Sequence, residues 1–314
     1  MKNFYISYSK DVNKDLINFL KKKFRCIKIK DYSEKSVINL LKSKIFITKY
    51  IDLPKFSDKK FNLKLLQLTT SDYSKINKEY AKKKKIFILN NQGANSTSVA
   101  EHTIALLLTN FRNIIKQNLH LKKGIWLNLK DINIELENKK IGIIGVGKAG
   151  LKVCKLAKAF NMKVFFNEVK NKVVERYRHK FNFKTKKFIY KNCDIISLHV
   201  DLNKTTNNLI GLKELNMMKK NATLINTSRG KVVNEKELTN FLINNKNFKA
   251  CIDVYQNEKK VNKKLVNLPN VVSTPHSGPS KETRQKLFKQ ILKNINILRS
   301  NNFKYLKKNS INFN

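Results

Sequence analysis

The feature that most restricts this chain is the run Lys139-Lys140-Ile141-Gly142-Ile143-Ile144-Gly145-Val146-Gly147-Lys148-Ala149-Gly150. It reads as a short apolar strand, a G-x-G-x-x-G turn, and then a helix over about 151–160. In that setting each glycine has a separate duty. Gly145 makes the tight turn, Gly147 lets the backbone approach a pyrophosphate, and Gly150 lets helix pack close on strand. The helix that follows offers unpaired N–H groups and a positive dipole end to phosphate oxygens. Gly145, Gly147, Lys148, Ala149 and Gly150 are therefore the candidate phosphate-binding residues. A second strand is predicted at 163–166 and ends in Asn167-Glu168. A carboxylate there is placed to accept hydrogen bonds from the adenosine ribose and to repel a 2′-phosphate. The spacing predicts NAD in preference to NADP.

Glycine usage sharpens this reading. Only nine glycines occur in 314 residues, and in such a chain those retained are expected where a side chain cannot be tolerated. Four belong to the opening run, and Gly230 and Gly278 each lie within two residues of a candidate catalytic group.

The length accommodates two domains with their own cores, and a hydrophobic share of 41% is that of a globular chain. No apolar run is long enough to span a bilayer, and Met1-Lys2-Asn3-Phe4 leads into no signal-peptide core. Cys26, Cys154, Cys193 and Cys251 are far apart and in no metal-ligand spacing, as expected of buried thiols in a reducing cytoplasm; no metal is expected. The net charge is +44, which attracts phosphate polyanions. Yet the lysines are spread in short clusters such as 21–23 and 82–85, arginine is scarce, and Asn, Ile, Phe and Tyr are abundant. A compositional bias toward AT-rich codons explains the charge better than a specific nucleic-acid role.

Along the chain, residues 1–93 alternate strands and helices. Strands are predicted at 4–8, 26–30, 45–48, 63–68 and 86–89, with helices at 15–23, 35–42 and 77–83. This is a flavodoxin-like βα pattern. Loops at carboxyl strand ends make Thr48-Lys49-Tyr50 and Thr69-Thr70-Ser71-Asp72-Tyr73 candidate substrate loops. A turn cluster at 90–96 marks the crossover, and a helix over about 97–118 follows. His102 lies within it and reads as a core or interface histidine. Strands at 141–144, 164–166, 195–199, 223–226, 250–254 and 271–273 then predict one doubly wound parallel sheet. A helix over 281–299 is expected to return to the first domain. The expected fold is α/β, a Rossmann cofactor domain over 95–279 plus a smaller substrate domain of 1–94 completed by 280–314.

Three strand ends carry chemistry. Arg229, in Asn226-Thr227-Ser228-Arg229-Gly230, can fork onto a carboxylate and polarise a carbonyl. Asp253 and Glu258 follow another strand, and His276 closes the last, in Ser273-Thr274-Pro275-His276. A histidine with a carboxylate partner is a coherent acid–base device, because the carboxylate fixes the tautomer and favours the imidazolium.

With these residues in hand, the chain resembles the D-isomer-specific 2-hydroxyacid dehydrogenases over nearly its full length. The matching runs are Ser98-Val99-Ala100-Glu101-His102-Thr103, Gly124-Ile125-Trp126, the Gly145 turn and Ser197-Leu198-His199-Val200. They continue with Ile225-Asn226-Thr227-Ser228-Arg229-Gly230, Ile252-Asp253-Val254, Leu268-Pro269-Asn270-Val271 and Thr274-Pro275-His276. The resemblance implies Arg229 as binder of the substrate carboxylate, His276 as general acid/base and Glu258 as its partner. It implies Asp253 as a contact of the nicotinamide carboxamide, His199 and Thr227 as lining the cofactor cleft, and Ser71, Asp72 and Tyr73 as a substrate loop. The implied activity is reversible hydride transfer between NADH and a small 2-oxo acid, of the hydroxypyruvate/glyoxylate or 3-phosphoglycerate type. A homodimer built on the cofactor domain is implied as well. Glu258 before His276 disfavours the related formate dehydrogenases, and no C-terminal regulatory domain is expected. The alternative is a non-catalytic NAD-sensing scaffold resembling the C-terminal-binding corepressors.

The chain also departs from the family pattern. Asp72 stands where a glycine is usual, Asp201 and Lys259 stand where prolines are common, and Glu168, with Lys170 and Lys172 nearby, replaces the usual aspartate.

Overall fold

Ile45–Thr48, Leu65–Leu68, Ile195–Leu198 and Thr223–Asn226 are buried along their whole length. Strands buried on every residue need cover on both faces, which parallel sheets receive from crossover helices. The computed structural model describes residues 4–30, 38–40, 42–49, 62–70, 73, 76–91, 93–126 and 133–313. The chain divides into two compact units, Met1–Ala94 with Lys281–Asn314, and Asn95–Ser280.

The first unit holds β1 (Tyr5–Ser9), β2 (Arg25–Ile29), β3 (Ile45–Thr48), β4 (Leu65–Leu68) and β5 (Phe87–Leu89), all paired in parallel in the order β2-β1-β3-β4-β5. This is the flavodoxin-like order. Helix Lys14–Lys21 starts where the Asn13 side chain accepts from the N–H groups of Asp15 and Leu16. Helix Lys281–Arg299 joins the same core, packing Ile291, Ile295 and Leu298 with Ile6, Ile45 and Ile47. After helix Phe303–Asn309 the chain lies along β5. Ile311 N–H donates to Ile88 O (2.9 Å), Ile88 N–H donates to Ser310 Oγ (2.8 Å), and Asn312 Nδ2 donates to Ile86 O (2.8 Å). The outer edge of that sheet is thereby covered.

The second unit is a seven-stranded parallel sheet: β6 (Lys140–Ile144), β7 (Lys163–Asn167), β8 (Asn182–Phe183), β9 (Ile195–Leu198), β10 (Thr223–Asn226), β11 (Lys249–Ile252) and β12 (Val271–Ser273). The order is β12-β11-β10-β9-β6-β7-β8. From β6 the chain winds first toward β8 and then back through β9 to β12. The crevice beyond the carboxyl ends of β6 and β9 is therefore the topological switch point of a doubly wound sheet. Apolar clusters cover both faces, one around Ile144, Leu198, Leu224 and Phe248, the other around Ile143, Val153, Phe166 and Ile225.

Three expectations change. The helix foreseen at 97–118 is two helices, Ser96–Phe111 and Ile114–Lys122, because Asn113 takes a left-handed conformation (φ 48°) between them. The helix after the glycine turn begins three residues earlier than foreseen, at Lys148, directly after Gly147. The seventh strand, β8, was not foreseen; it has two residues, both exposed, and no alternation to read. Of the helix expected at 35–42, residues 35–37 and 41 lie outside the described residues. No helix among the described residues is long and apolar enough to cross a membrane.

Candidate active site

The carboxyl end of β6 turns sharply at Gly145, whose φ is +91°. Its N–H donates to Asn167 O at the end of β7 (2.9 Å). A Cβ at Gly145 would stand 2.7 Å from His199 O, just past β9, and one at Gly150 would run into Gly145 O. Chain packing forbids a side chain at both. Gly147 differs, because a Cβ there would meet no atom of the described residues within 4 Å. The packed chain does not demand glycine at this point. Helix Lys148–Ala159 starts at once, with no side chain among the described residues capping it. A helix amino end at the carboxyl edge of the sheet offers the dipole and N–H groups that a pyrophosphate requires, so these residues fit a dinucleotide.

Glu168 follows β7. Its Oε2 accepts from Val146 N–H (2.9 Å), and its Oε1 accepts from Val169 N–H (2.9 Å) and Lys170 N–H (3.2 Å). The carboxylate thus ties the end of β7 to the glycine turn. Three of its roughly four accepting positions are used, leaving capacity for a ribose hydroxyl. His199 Nε2 pairs with Ser197 Oγ at 2.8 Å, and burial pushes the imidazole down to about 4, so it is neutral. Thr103 gives its hydroxyl proton to Val99 O (2.7 Å), so at its 2.9 Å contact with Thr227 the Thr227 hydroxyl is the donor.

Arg229 sits just past β10 in a turn shaped by Asn226. The Asn226 Oδ1 accepts from Ser228 N–H (3.1 Å) and Ser228 Oγ (2.8 Å), and its Nδ2 donates to Arg229 O (3.0 Å). Arg229 Nη1 donates to Ser228 O at 2.7 Å. Gly230 then lies directly on the Tyr255 backbone, so the Arg229 turn is seated on the segment that follows β11.

His276 lies past β12 in a left-handed conformation, φ 54°. Its Nδ1 meets Glu258 Oε1 at 2.8 Å, with the two side chains 43% and 50% exposed. Asp253, next to the end of β11, is only 1% exposed. Burial pushes its carboxyl upward, but hydrogen bonds from His102, Thr274 and the Ser277 N–H outweigh burial and leave it below the ordinary value.

The structure therefore joins Glu258 to His276, Glu168 to the glycine turn, and Gly145 to His199, all at the carboxyl edge of one sheet. Ser71 and Asp72 lie outside the described residues, as do Tyr50 and Gln92. Tyr73 packs against the core of the first unit, with Lys78 Nζ 5.4 Å from its ring centroid. The sequence reading missed the setting of His102, whose Nε2 lies 3.1 Å from Asp253 Oδ1 and 3.0 Å from Thr274 Oγ1. A signal existed: His102 adjoins Thr103 beside a run of buried apolar helix positions, and buried polar groups need partners.

The sequence profile of the D-isomer specific 2-hydroxyacid dehydrogenase NAD binding domain matches residues 104–278, more than half of the chain. The chain belongs to that family. Its members are oxidoreductases of 2-hydroxy acids that use a nicotinamide cofactor. A D-3-phosphoglycerate dehydrogenase of Methanocaldococcus jannaschii is 36% identical over 231 residues, covering 73% of this chain and 44% of that relative. This chain therefore spans less than half of that enzyme. A glyoxylate reductase of Thermococcus litoralis is 34% identical over 247 residues, 74% of this chain and 73% of the relative. Among solved structures, an acyclic imino acid reductase in complex with NADPH and D-Arg superposes with a TM-score of 0.81 at 29% identity, over 98% of this chain and 99% of that one.

Proposed function

We propose that this family member uses NAD(H) to interconvert a small 2-oxo acid and its D-2-hydroxy acid, of the hydroxypyruvate/glyoxylate or 3-phosphoglycerate type. The observation that carries this reading is the 2.8 Å contact of His276 Nδ1 with Glu258 Oε1. A carboxylate only accepts, so Nδ1 holds the hydrogen and Nε2 is the nitrogen that exchanges a proton with substrate. In the reducing direction His276 gives that proton to the carbonyl oxygen, and in the oxidising direction it takes the hydroxyl proton. Glu258 fixes the ring and balances its charge. Arg229 forks onto the substrate carboxylate and offsets charge growing on the neighbouring oxygen.

Gly145, Gly147, Lys148, Ala149 and Gly150 would hold the pyrophosphate, Glu168 the adenosine ribose, and His199, Thr227 and Asp253 the nicotinamide end. The bound nicotinamide supplies or accepts the hydride. Among the described residues, Asp253 Oδ2 accepts from Gly278 N–H (3.1 Å). A negative charge at Glu168 favours NAD over NADP.

Two further features belong to this reading. A homodimer is supported by helix Ile114–Lys122, which buries no residue and exposes Ile114, Ile115, Leu119 and Leu121, followed by Trp126 at 85% exposure. A cytoplasmic setting is supported by four unpaired cysteines; burial pushes the thiols of Cys154, Cys193 and Cys251 up to about 12.

The test is a panel of hydroxypyruvate, glyoxylate, pyruvate and 3-phosphohydroxypyruvate with NADH and NADPH. Each is offered with and without ammonium, because the imino acid reductase likeness brings C=N reduction into range. Turnover by the wild type, lost by orders of magnitude in His276→Ala with NADH binding spared, is expected. Unchanged turnover in that variant would refute the assignment.

A further inference from the structure

The Asp253 side chain is almost sealed, at 2% exposed, yet it accepts four hydrogen bonds. Thr274 Oγ1 (2.6 Å) and Ser277 N–H (2.7 Å) reach Oδ1, and Gly278 N–H (3.1 Å) reaches Oδ2. All three donors belong to the stretch that carries His276. The Asp253 backbone also accepts from His276 N–H at 2.9 Å. A non-glycine residue at φ 54° is held there only by surroundings that over-determine it, and Asp253 provides them.

The fourth donor comes from elsewhere. His102 Nε2, on helix Ser96–Phe111, sits within reach of both Asp253 Oδ1 (3.1 Å) and Thr274 Oγ1 (3.0 Å). Its tautomer follows from its partners. The one hydroxyl proton of Thr274 goes to Asp253, so toward His102 that oxygen accepts, and a carboxylate has nothing to donate. Nε2 therefore carries a hydrogen aimed at the pair. The same helix contributes a second tie, from Ser98 Oγ to Gly278 O. His102 is 18% exposed and, among the described residues, makes no hydrogen bond or ion pair with His276 or Glu258, so it acts through Asp253.

We propose that His102 is a positioning residue for the acid–base group. Its Nε2–H fixes the Asp253–Thr274 pair, and that pair fixes the loop that keeps His276 against Glu258. The proposal rests on the reading of His276 as the proton donor, and the experiment separates the two.

The variants His102→Ala, His102→Gln, Thr274→Val and His276→Ala are made in the full chain. Each is assayed for kcat, for NADH dissociation constant by fluorescence, and for the His276 imidazole N–H by proton–nitrogen NMR. A glutamine amide nitrogen reaches about as far from the backbone as Nε2 and carries hydrogen, so it can restore the tie. Loss of the tie should lower kcat in His102→Ala about 10- to 100-fold, the scale of a misplacement near 1 Å, with NADH affinity within about threefold. The His276 N–H signal weakens in His102→Ala and is kept in His102→Gln, which recovers most of the turnover. If His102→Ala does not fold, Thr274→Val shows the same kcat loss and the same NMR change. Wild-type turnover in His102→Ala, or in Thr274→Val where the alanine variant is unfolded, overturns the proposal. So does His102→Gln behaving no better than alanine. Wild-type turnover in His276→Ala instead overturns the reading beneath it.

Discussion

Gly230→Ala asks how tightly the Arg229 turn is seated. The added Cβ would stand 2.5 Å from Gln256 N and closer still to the Tyr255 carbonyl. These neighbours are backbone atoms, which cannot rotate away as a side chain can. Restoring an ordinary contact near 3.4 Å requires the turn and the segment after β11 to part by at least about 1 Å, an overpacking that costs about 1–3 kcal/mol. For a domain of this size that lowers Tm by roughly 2–12 °C. The functional loss should be larger in proportion, because Arg229 moves with the turn and a 1 Å misplacement costs about 100-fold in turnover. Gly142→Ala is the control. Its Cβ would run into the Ile189 side chain on the face of β6, so it should lower Tm similarly and leave kcat within about twofold, since that side chain is core packing alone. Thermal unfolding and steady-state kinetics on both variants decide the matter. Equal kcat losses in the two, or an unperturbed Gly230→Ala, would refute the seating of Arg229 on that backbone.

Other expectations follow from the same site. His199 stays neutral in the folded chain down to about 4, whereas in the unfolded chain it takes a proton near 6.5. Between those values the unfolded state binds more protons, so stability rises with pH, and at pH 5 the native state forgoes about 2 kcal/mol relative to pH 7.5. Urea unfolding at the two pH values should show that difference shrinking in His199→Gln; an unchanged slope means the ring is not enclosed. Glu168→Gln keeps the side chain's length but removes the charge that opposes a 2′-phosphate, so the NADPH to NADH ratio of kcat/KM should rise about tenfold. A constant ratio would show that this carboxylate does not choose the cofactor. Leu119→Glu places a charge in the exposed apolar face of helix Ile114–Lys122, so the proposed homodimer should give way to a monomer in sedimentation; a variant that sediments as the wild type does would refute that face as the interface.

What could be read from the sequence was what rests on local pattern. The glycine turn combines a motif of fixed spacing with a strand before it and a helix after it, and the strands from Ile195–Leu198 onward are short runs rich in apolar residues. Glu258 and His276 were legible because both follow such runs at the edge where ligands bind. The break at Asn113 was not, since it is a backbone choice that leaves the apolar spacing of Ile104, Leu107 and Phe111 intact up to the point of rupture. Ile115, beyond that break, is 50% exposed. His102 was underestimated for another reason. Its partners Asp253 and Thr274 lie 151 and 172 residues away, and only a folded sheet shows that they converge.

The last residues along β5 have a practical bearing on handling the protein. Removing 310–312 would strip the Ile86 and Ile88 backbone of its hydrogen bonds with the Ser310 and Asn312 side chains and with Ile311 N–H and present an open strand to neighbouring molecules. A trimmed version should therefore be judged by turbidity and light scattering before its kinetics are compared with the intact chain, since clumping would masquerade as lost activity.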